Sequence, residues 1–143
     1  MRTKSQIPGA SLFLLFIFAL PLGAAIPRET EVRLQIASPE QLTVVITEAQ
    51  KKAVKRRGSH RWDIVAKAKV VAVKKTKSEL KKGDVVEIRY SMPNIEKSPE
   101  PGAWPSLITK GTRYKAFLKV KDAAKKHYEP AASSGSFEKA GEG

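Results

Sequence analysis

Cysteine is absent from this chain. Its absence excludes a disulfide framework, a thiolate metal site and a cysteine nucleophile. Histidine is nearly absent as well. His60 lies in a basic run and His127 near the carboxyl end, and neither has a second ligand at metal spacing. No Gly-x-Ser-x-Gly elbow occurs, and Ser134-Gly135-Ser136 reads as a flexible segment. Asp63, Asp84, Glu87 and Glu96 form no recognisable acid–base pair. Gly83 and Gly111 are single turn glycines, not a phosphate-cradling loop. The chain therefore reads as non-catalytic, with no metal site and no cofactor.

Acidic residues are scarce too. Against 27 lysines and arginines stand 14 aspartates and glutamates, a formal net charge of +13. Such an excess does not specify a fold, but it attracts anionic partners such as polysaccharide, lipid, nucleic acid or acidic protein.

The one strongly apolar run comes first. Arg2 and Lys4 precede an uncharged stretch from Leu12 to Leu20, Pro21 breaks it, and Gly23-Ala24-Ala25 supplies small residues. This is the layout of a signal peptide over residues 1–25, cleaved after Ala24 or Ala25. The run falls short of the roughly 20 residues of a transmembrane helix, so no span is expected after cleavage. The expected destination is periplasmic or extracellular. Exported animal domains of this size usually carry cysteines, so an unstapled one favours a bacterial source.

What remains reads as one domain over residues 26–138, with 139–143 as a disordered tail. Val32, Leu34 and Ile36 alternate with Glu31, Arg33 and Gln35, which predicts a half-buried strand over Glu31–Ala37. Ser38-Pro39-Glu40 is a turn signal. Leu42, Val44 and Ile46 continue the alternation, so the two segments are expected to pair as a hairpin. From Glu48 to Arg61 the sequence permits a short helix, with Thr47 and Gln50 as a capping box and Gly58 as its end, or a mobile loop.

Next, Ile64, Ala66, Ala68, Val70 and Ala72 alternate with Val65, Lys67, Lys69, Val71 and Val73. A membrane-surface helix over Lys67–Lys75 is the rival reading, but β-branched residues favour a strand. Small apolar residues on one face suit the inside of a tight barrel. Val86, Ile88 and Tyr90 form a second inward row; Tyr114, Ala116, Leu118 and Val120 form a third. Pro93 to Pro105 reads as a loop that Trp104 pins to the core, with Trp62 as a core plug at a barrel end, Leu80 tucked onto the core, and Tyr128 and Phe137 tacking down the tail. The expected fold is mainly β, a small OB-like barrel of five to six strands with at most one or two short helices.

Two segments echo each other: Leu80-Lys81-Lys82-Gly83-Asp84-Val85, and Leu107-Ile108-Thr109-Lys110-Gly111-Thr112-Arg113-Tyr114. Each leads into a strand, and the second continues through Tyr114, Phe117 and Leu118 in a Tyr-x-x-Phe-Leu pattern. Across Val65 to Val120 this resembles the netrin-like module, the OB-type barrel shared with tissue inhibitors of metalloproteinases. The resemblance implies a five-stranded barrel. Family inhibitors chelate the protease zinc through an amino-terminal cysteine, which this chain lacks, so that activity does not carry over.

The candidate site is a set of cations: Lys51, Lys52, Lys55, Arg56, Arg57 and Arg61 in a run without an acid, with Lys67, Lys69, Arg113, Lys115 and Lys119 on outward faces. Their expected partner is an acidic polysaccharide or an anionic envelope surface. A protein-interaction or inhibitor-like module is the alternative. Nucleic-acid binding through an OB surface is a further one, against which the export signal argues.

Overall fold

The longest alternating region becomes one long hairpin. In the computed structural model, which describes residues 26–100 and 102–141, strand β1 spans Glu40–Arg56 and β2 spans Ser59–Thr76. They pair antiparallel from Glu40↔Thr76 to Arg56↔Ser59. The two-residue turn places Arg57 at φ 52° and Gly58 at φ 80°. Positive φ at both positions matches the right-handed twist of a β-ribbon. Residues 48–61, expected to be a helix or loop, are therefore strand on both sides of a tight turn. Residues 1–25, with the expected signal peptide, lie outside the described residues.

The remaining strands are β3 (Val85–Pro93), β4 (Arg113–Asp122), β5 (His127–Pro130) and β6 (Phe137–Lys139). The sheet order is β1-β2-β3-β5-β4-β6, and β1 also pairs with β4. Strands β1, β2, β3, β5 and β4 thus close a five-stranded barrel, and β6 is an extra strand. The β3–β5 pairing is parallel; the others are antiparallel. β5 and β6 take successive parts of one edge of β4, joined by a one-turn 3₁₀ segment over Ser133–Gly135. Lys139, expected in a disordered tail, pairs instead with Tyr114 in β6.

The barrel interior follows the period-2 pattern. Leu42, Val44 and Ile46, then Ile64, Ala66, Ala68 and Val70, then Val86 and Ile88, then Tyr114, Ala116 and Leu118 are all buried. Leu80 and Ile108 cap the core from loops, and Tyr128 and Phe137 join it from the last strands. Each fully buried aliphatic side chain contributes about 1.5–3 kcal/mol. Alanines at 66, 68 and 116 keep opposing walls close enough for that contact.

Two inward assignments fail at strand ends. β2 carries extra residues at Lys74 and Val71, and β1 at Thr47. A bulge residue shifts the alternation by one. After Val71, Ala72 therefore pairs with outward Thr43 and is exposed. Val120 is 38% exposed because β1 covers β4 only as far as Leu118.

The largest departure is Glu31–Ala37, which is helical. Helix α1 spans Arg28–Ala37, entered through extended Pro27 with Glu29 and Glu31 in its first turn. Acids there complement the helix dipole. A strand in this place would have no free edge to join, since β2 and β4 flank the start of β1. The helix docks by polar contacts. Gln35 donates to the Gly135 carbonyl at 2.9 Å and to Glu138 at 3.1 Å, and Arg28 reaches Glu138 at 2.9 Å. Ile36 remains 66% exposed.

A buried carboxylate ties the hairpin's open end. Glu40, fully buried, accepts from Thr76 Oγ1 at 2.6 Å and from the Ser78 amide and hydroxyl at 3.1 and 2.9 Å. Three donors offset the desolvation that an ionised group would otherwise suffer.

Two outcomes follow. Ala68→Leu should destabilise the barrel by about 1–3 kcal/mol in urea unfolding, because the opposite wall cannot move away; an unchanged midpoint would contradict the tight interior. For Glu138, burial alone would raise the carboxyl pKa. The hydrogen bonds from Gln35 and Arg28 and the charges of Arg28 and Lys115 outweigh it and lower the pKa. A lowered folded-state pKa means the stabilisation is complete above the ordinary carboxyl value and is lost as pH falls through the folded one. Amide exchange across Arg28–Ala37, corrected for intrinsic rates, should therefore accelerate on acidification below about pH 4.5, and Glu138→Gln should abolish that pH dependence.

Candidate functional site

The cations singled out from the sequence do not form a single cluster. They fall on three regions of the surface, and two of them are committed to internal partners.

The first region is the overhang of the β1–β2 hairpin. Antiparallel register puts Lys51, opposite Ile64, and Lys55, opposite His60, on the face that continues the core row. Lys52, opposite Asp63, and Arg56, opposite Ser59, share the outer face. The Lys51 ammonium sits 4.3 Å from the centre of the Trp62 ring. Trp62 is half-buried at the barrel rim, and the cation covers its ring. Arg56 forks onto Asp63, with Nη1 3.1 Å from Oδ1 and Nη2 2.7 Å from Oδ2. Lys52, Lys55 and Arg57 are exposed, and no ion pair engages them among the described residues.

Arg61 lies deeper. Its Nη1 is 3.2 Å from Glu100, its Nε donates to Ser91 Oγ at 3.2 Å, and its guanidinium stands 5.7 Å from the Trp104 ring. Trp104 itself donates to the Glu100 carbonyl. Arg61 therefore pins the loop between β3 and β4 and is not free to meet a ligand.

The second region is the barrel wall. Across β2, β1 and β4, Lys69 pairs with Val45 and Val45 with Arg113; one step along, Ala72 pairs with Thr43 and Thr43 with Lys115. Thr43, Ala72, Arg113 and Lys115 line a shallow groove of about 510 Å³, and Lys82 enters it from the turn before β3. Lys115 faces Glu138 in the β4–β6 register. Lys67 meets Glu48 at 3.7 Å with both side chains well exposed, a contact of little energetic weight.

Lys119 lies apart, beside Glu129 and over a cleft of about 530 Å³ that also holds Lys77, Lys126, Glu40 and Tyr128. Sequence reasoning missed Lys82 as part of the wall. It also missed a groove of about 230 Å³ between β1 and the segment before β4, lined by Ala49, Lys51, Ile64, Leu107 and Ile108. The bulge at Thr47 hid it, since it shifts the inward positions of β1 from Leu42, Val44 and Ile46 to Ala49, Lys51 and Ala53, which strict alternation would turn outward.

No protein family, no curated protein and no solved structure matches this chain.

The histidines are placed singly. His60 donates its amide to Ser98 Oγ, and His127 Nε2 lies 2.9 Å from Glu87. Among the described residues, no three His, Asp or Glu side chains come together as a metal site, and no helix is long and apolar enough to cross a membrane.

The pinning role of Arg61 has a measurable consequence. Arg61→Ala removes charge-assisted hydrogen bonds and a cation–π contact in a half-buried setting, and should cost about 1–3 kcal/mol. Its tryptophan emission should shift to the red as Trp104 is released. Stability and emission matching the parent would show that Arg61 does not hold the loop.

Proposed function

We propose that this chain is an exported, non-catalytic binding module that holds an extended anionic polymer, an acidic polysaccharide or the anionic envelope surface. One observation carries the reading. Lys52 on the overhang, Lys69 on β2, and Arg113 and Lys115 on β4 share the outer face of the sheet, with Arg57 in the hairpin turn and Lys82 entering the groove beside Arg113 and Lys115. None of them has an ion-pair partner among the described residues. From Thr43 to Arg57 a ribbon at ~3.3 Å per residue runs roughly 45 Å. A stripe of that length suits a polymer better than a single small anion. Lys51 and Lys55 flank it on the other face and add to the local field.

The order β1-β2-β3-β5-β4 with its parallel β3–β5 pair supports an OB-type reading of the barrel, the architecture a netrin-like module would share. Such barrels host unrelated functions, so the polyanion reading rests on the cations and not on the fold. The export layout of residues 1–25 favours an extracellular polyanion over a nucleic acid.

Heparin-column elution against salt tests the proposal. Replacing Lys52, Lys69, Arg113 and Lys115 together by alanine should lower the eluting salt concentration. The log–log salt slope should drop by on the order of one for each cation that contacted the polymer. A charge-matched variant with Lys77, Lys97, Lys121 and Lys125 replaced should elute closer to the parent. Equal shifts in the two variants would mean diffuse attraction to net charge, and the stripe would lose its role.

A further inference from the structure

The outer half of β1 has a neighbour on one side only. β4 pairs with Glu40–Val45, and Ile46 ends that contact by donating to the Thr112 carbonyl at 3.1 Å and accepting from the Gly111 amide at 2.7 Å. Beyond Ile46, the backbone of β1 bonds only to β2 among the described residues. The ladder shows which groups are left over. At one end of β2 the His60 carbonyl accepts from Asn94; at the other, Val70 bonds to both Gly83 and Asp84. The register of β2 with β3 is unbroken between these points. Even-numbered β2 residues therefore turn their backbone groups to β3, and odd-numbered ones turn theirs to β1. On β1, the residues opposite the even positions are Ala49, Lys51, Ala53 and Lys55. Their N–H and C=O groups face an open edge.

Unpaired edges invite an added strand, and lysines along them usually keep other chains away. Here the lysines select rather than forbid. Lys51, Lys52 and Lys55 line the edge and Lys110 borders its inner end. A second copy of this chain would bring the same cations against them. An acidic segment would neutralise them. Alongside Ala49 and Lys51 the edge opens on the apolar groove walled by Ile64, Leu107 and Ile108, with Leu107 38% exposed. This is a pocket for one alternate side chain of an incoming strand.

We propose that the Ala49–Lys55 edge of β1 takes an extended acidic segment of a partner protein as an added strand, with one apolar side chain of that segment in the groove beside Leu107. The edge shares Lys52 with the polyanion stripe but makes a different demand on its ligand. The stripe runs along the outer face of the sheet and needs only charge, whereas the edge needs backbone hydrogen bonds.

Fluorescence anisotropy with a synthetic peptide of alternating glutamate and valine tests it, beside a twin of equal charge N-methylated at alternate amides. The unmodified peptide should bind the purified protein at least about tenfold more tightly than the twin, as loss of two or more backbone hydrogen bonds requires. Ala53→Pro, which removes an N–H turned to the open edge, should weaken binding by a similar factor and keep the parent's thermal midpoint; Val54→Pro, whose N–H bonds β2, should lower that midpoint. Equal affinity for the two peptides, or no binding at all, would overturn the proposal. Dimerisation of the protein alone through this edge would overturn it too, by giving the edge to a second copy. If Ala53→Pro fails to fold, the N-methylated twin decides alone.

Discussion

Every buried strand must have its backbone donors and acceptors paired, and β1 meets this demand on two sides for only part of its length. Over Glu40–Val45 it lies between β2 and β4 and closes the barrel. Beyond Ile46 it leaves β4 behind and continues with β2 alone. The bulge at Thr47 marks the transition, since a bulge bends a strand and increases its twist. From this one change of neighbours come the enclosed core below, the projecting ribbon above and the exposed edge beside it. The Glu40 carboxylate anchors the opposite end, fixing where β1 starts against the turn after β2.

The division of the cations into bound and free follows from which of them meet an acid across the sheet or on a returning loop. Arg61 is close enough to the core that its guanidinium has lost much of its water. It recovers that loss through Glu100, Ser91 and Trp104, which is what a planar multidentate group does well. Arg56 likewise uses its fork on Asp63. Lys52 and Lys55, exposed and with no ion pair among the described residues, keep their hydration and need no such partner. Solvated cations on a rigid ribbon lose little when an anion arrives, because few hydrogen bonds within the protein must be broken first. Internal arginines would have to abandon theirs.

Much of the barrel was legible in the sequence because period-2 burial has one structural meaning once a strand has two partners. Leu42, Val44 and Ile46, and Ile64 through Val70, read directly. Glu31–Ala37 did not, since Val32, Leu34 and Ile36 alternate as well as any strand. What excluded a strand was the occupancy of both edges of β1, a fact about residues far along the chain. The hairpin turn escaped notice because Arg57-Gly58 lacks the asparagine or aspartate that usually signals two positive φ values. For the candidate site, parity placed Lys67, Lys69, Arg113 and Lys115 outward correctly. It could not reveal that Glu100, some forty residues on, neutralises Arg61, because ion pairing depends on tertiary return and not on local pattern.

The two proposed surfaces of the ribbon differ in the physics that would hold a ligand, and this bears on how they could coexist. Side chains of Lys52, Lys69 and Arg113 point away from the sheet, so contacts there are made through water and weaken as salt screens them. Backbone groups of Ala49 to Lys55 point in the plane of the sheet, where hydrogen bonds are short and depend little on ionic strength. An anionic polymer on the face raises the local density of negative charge and would repel an acidic strand at the edge. Because both would draw on Lys51, Lys52 and Lys55, binding at one surface must weaken binding at the other by the same factor. A ribbon free on one edge and basic on its face thus couples its two surfaces through the charge they share.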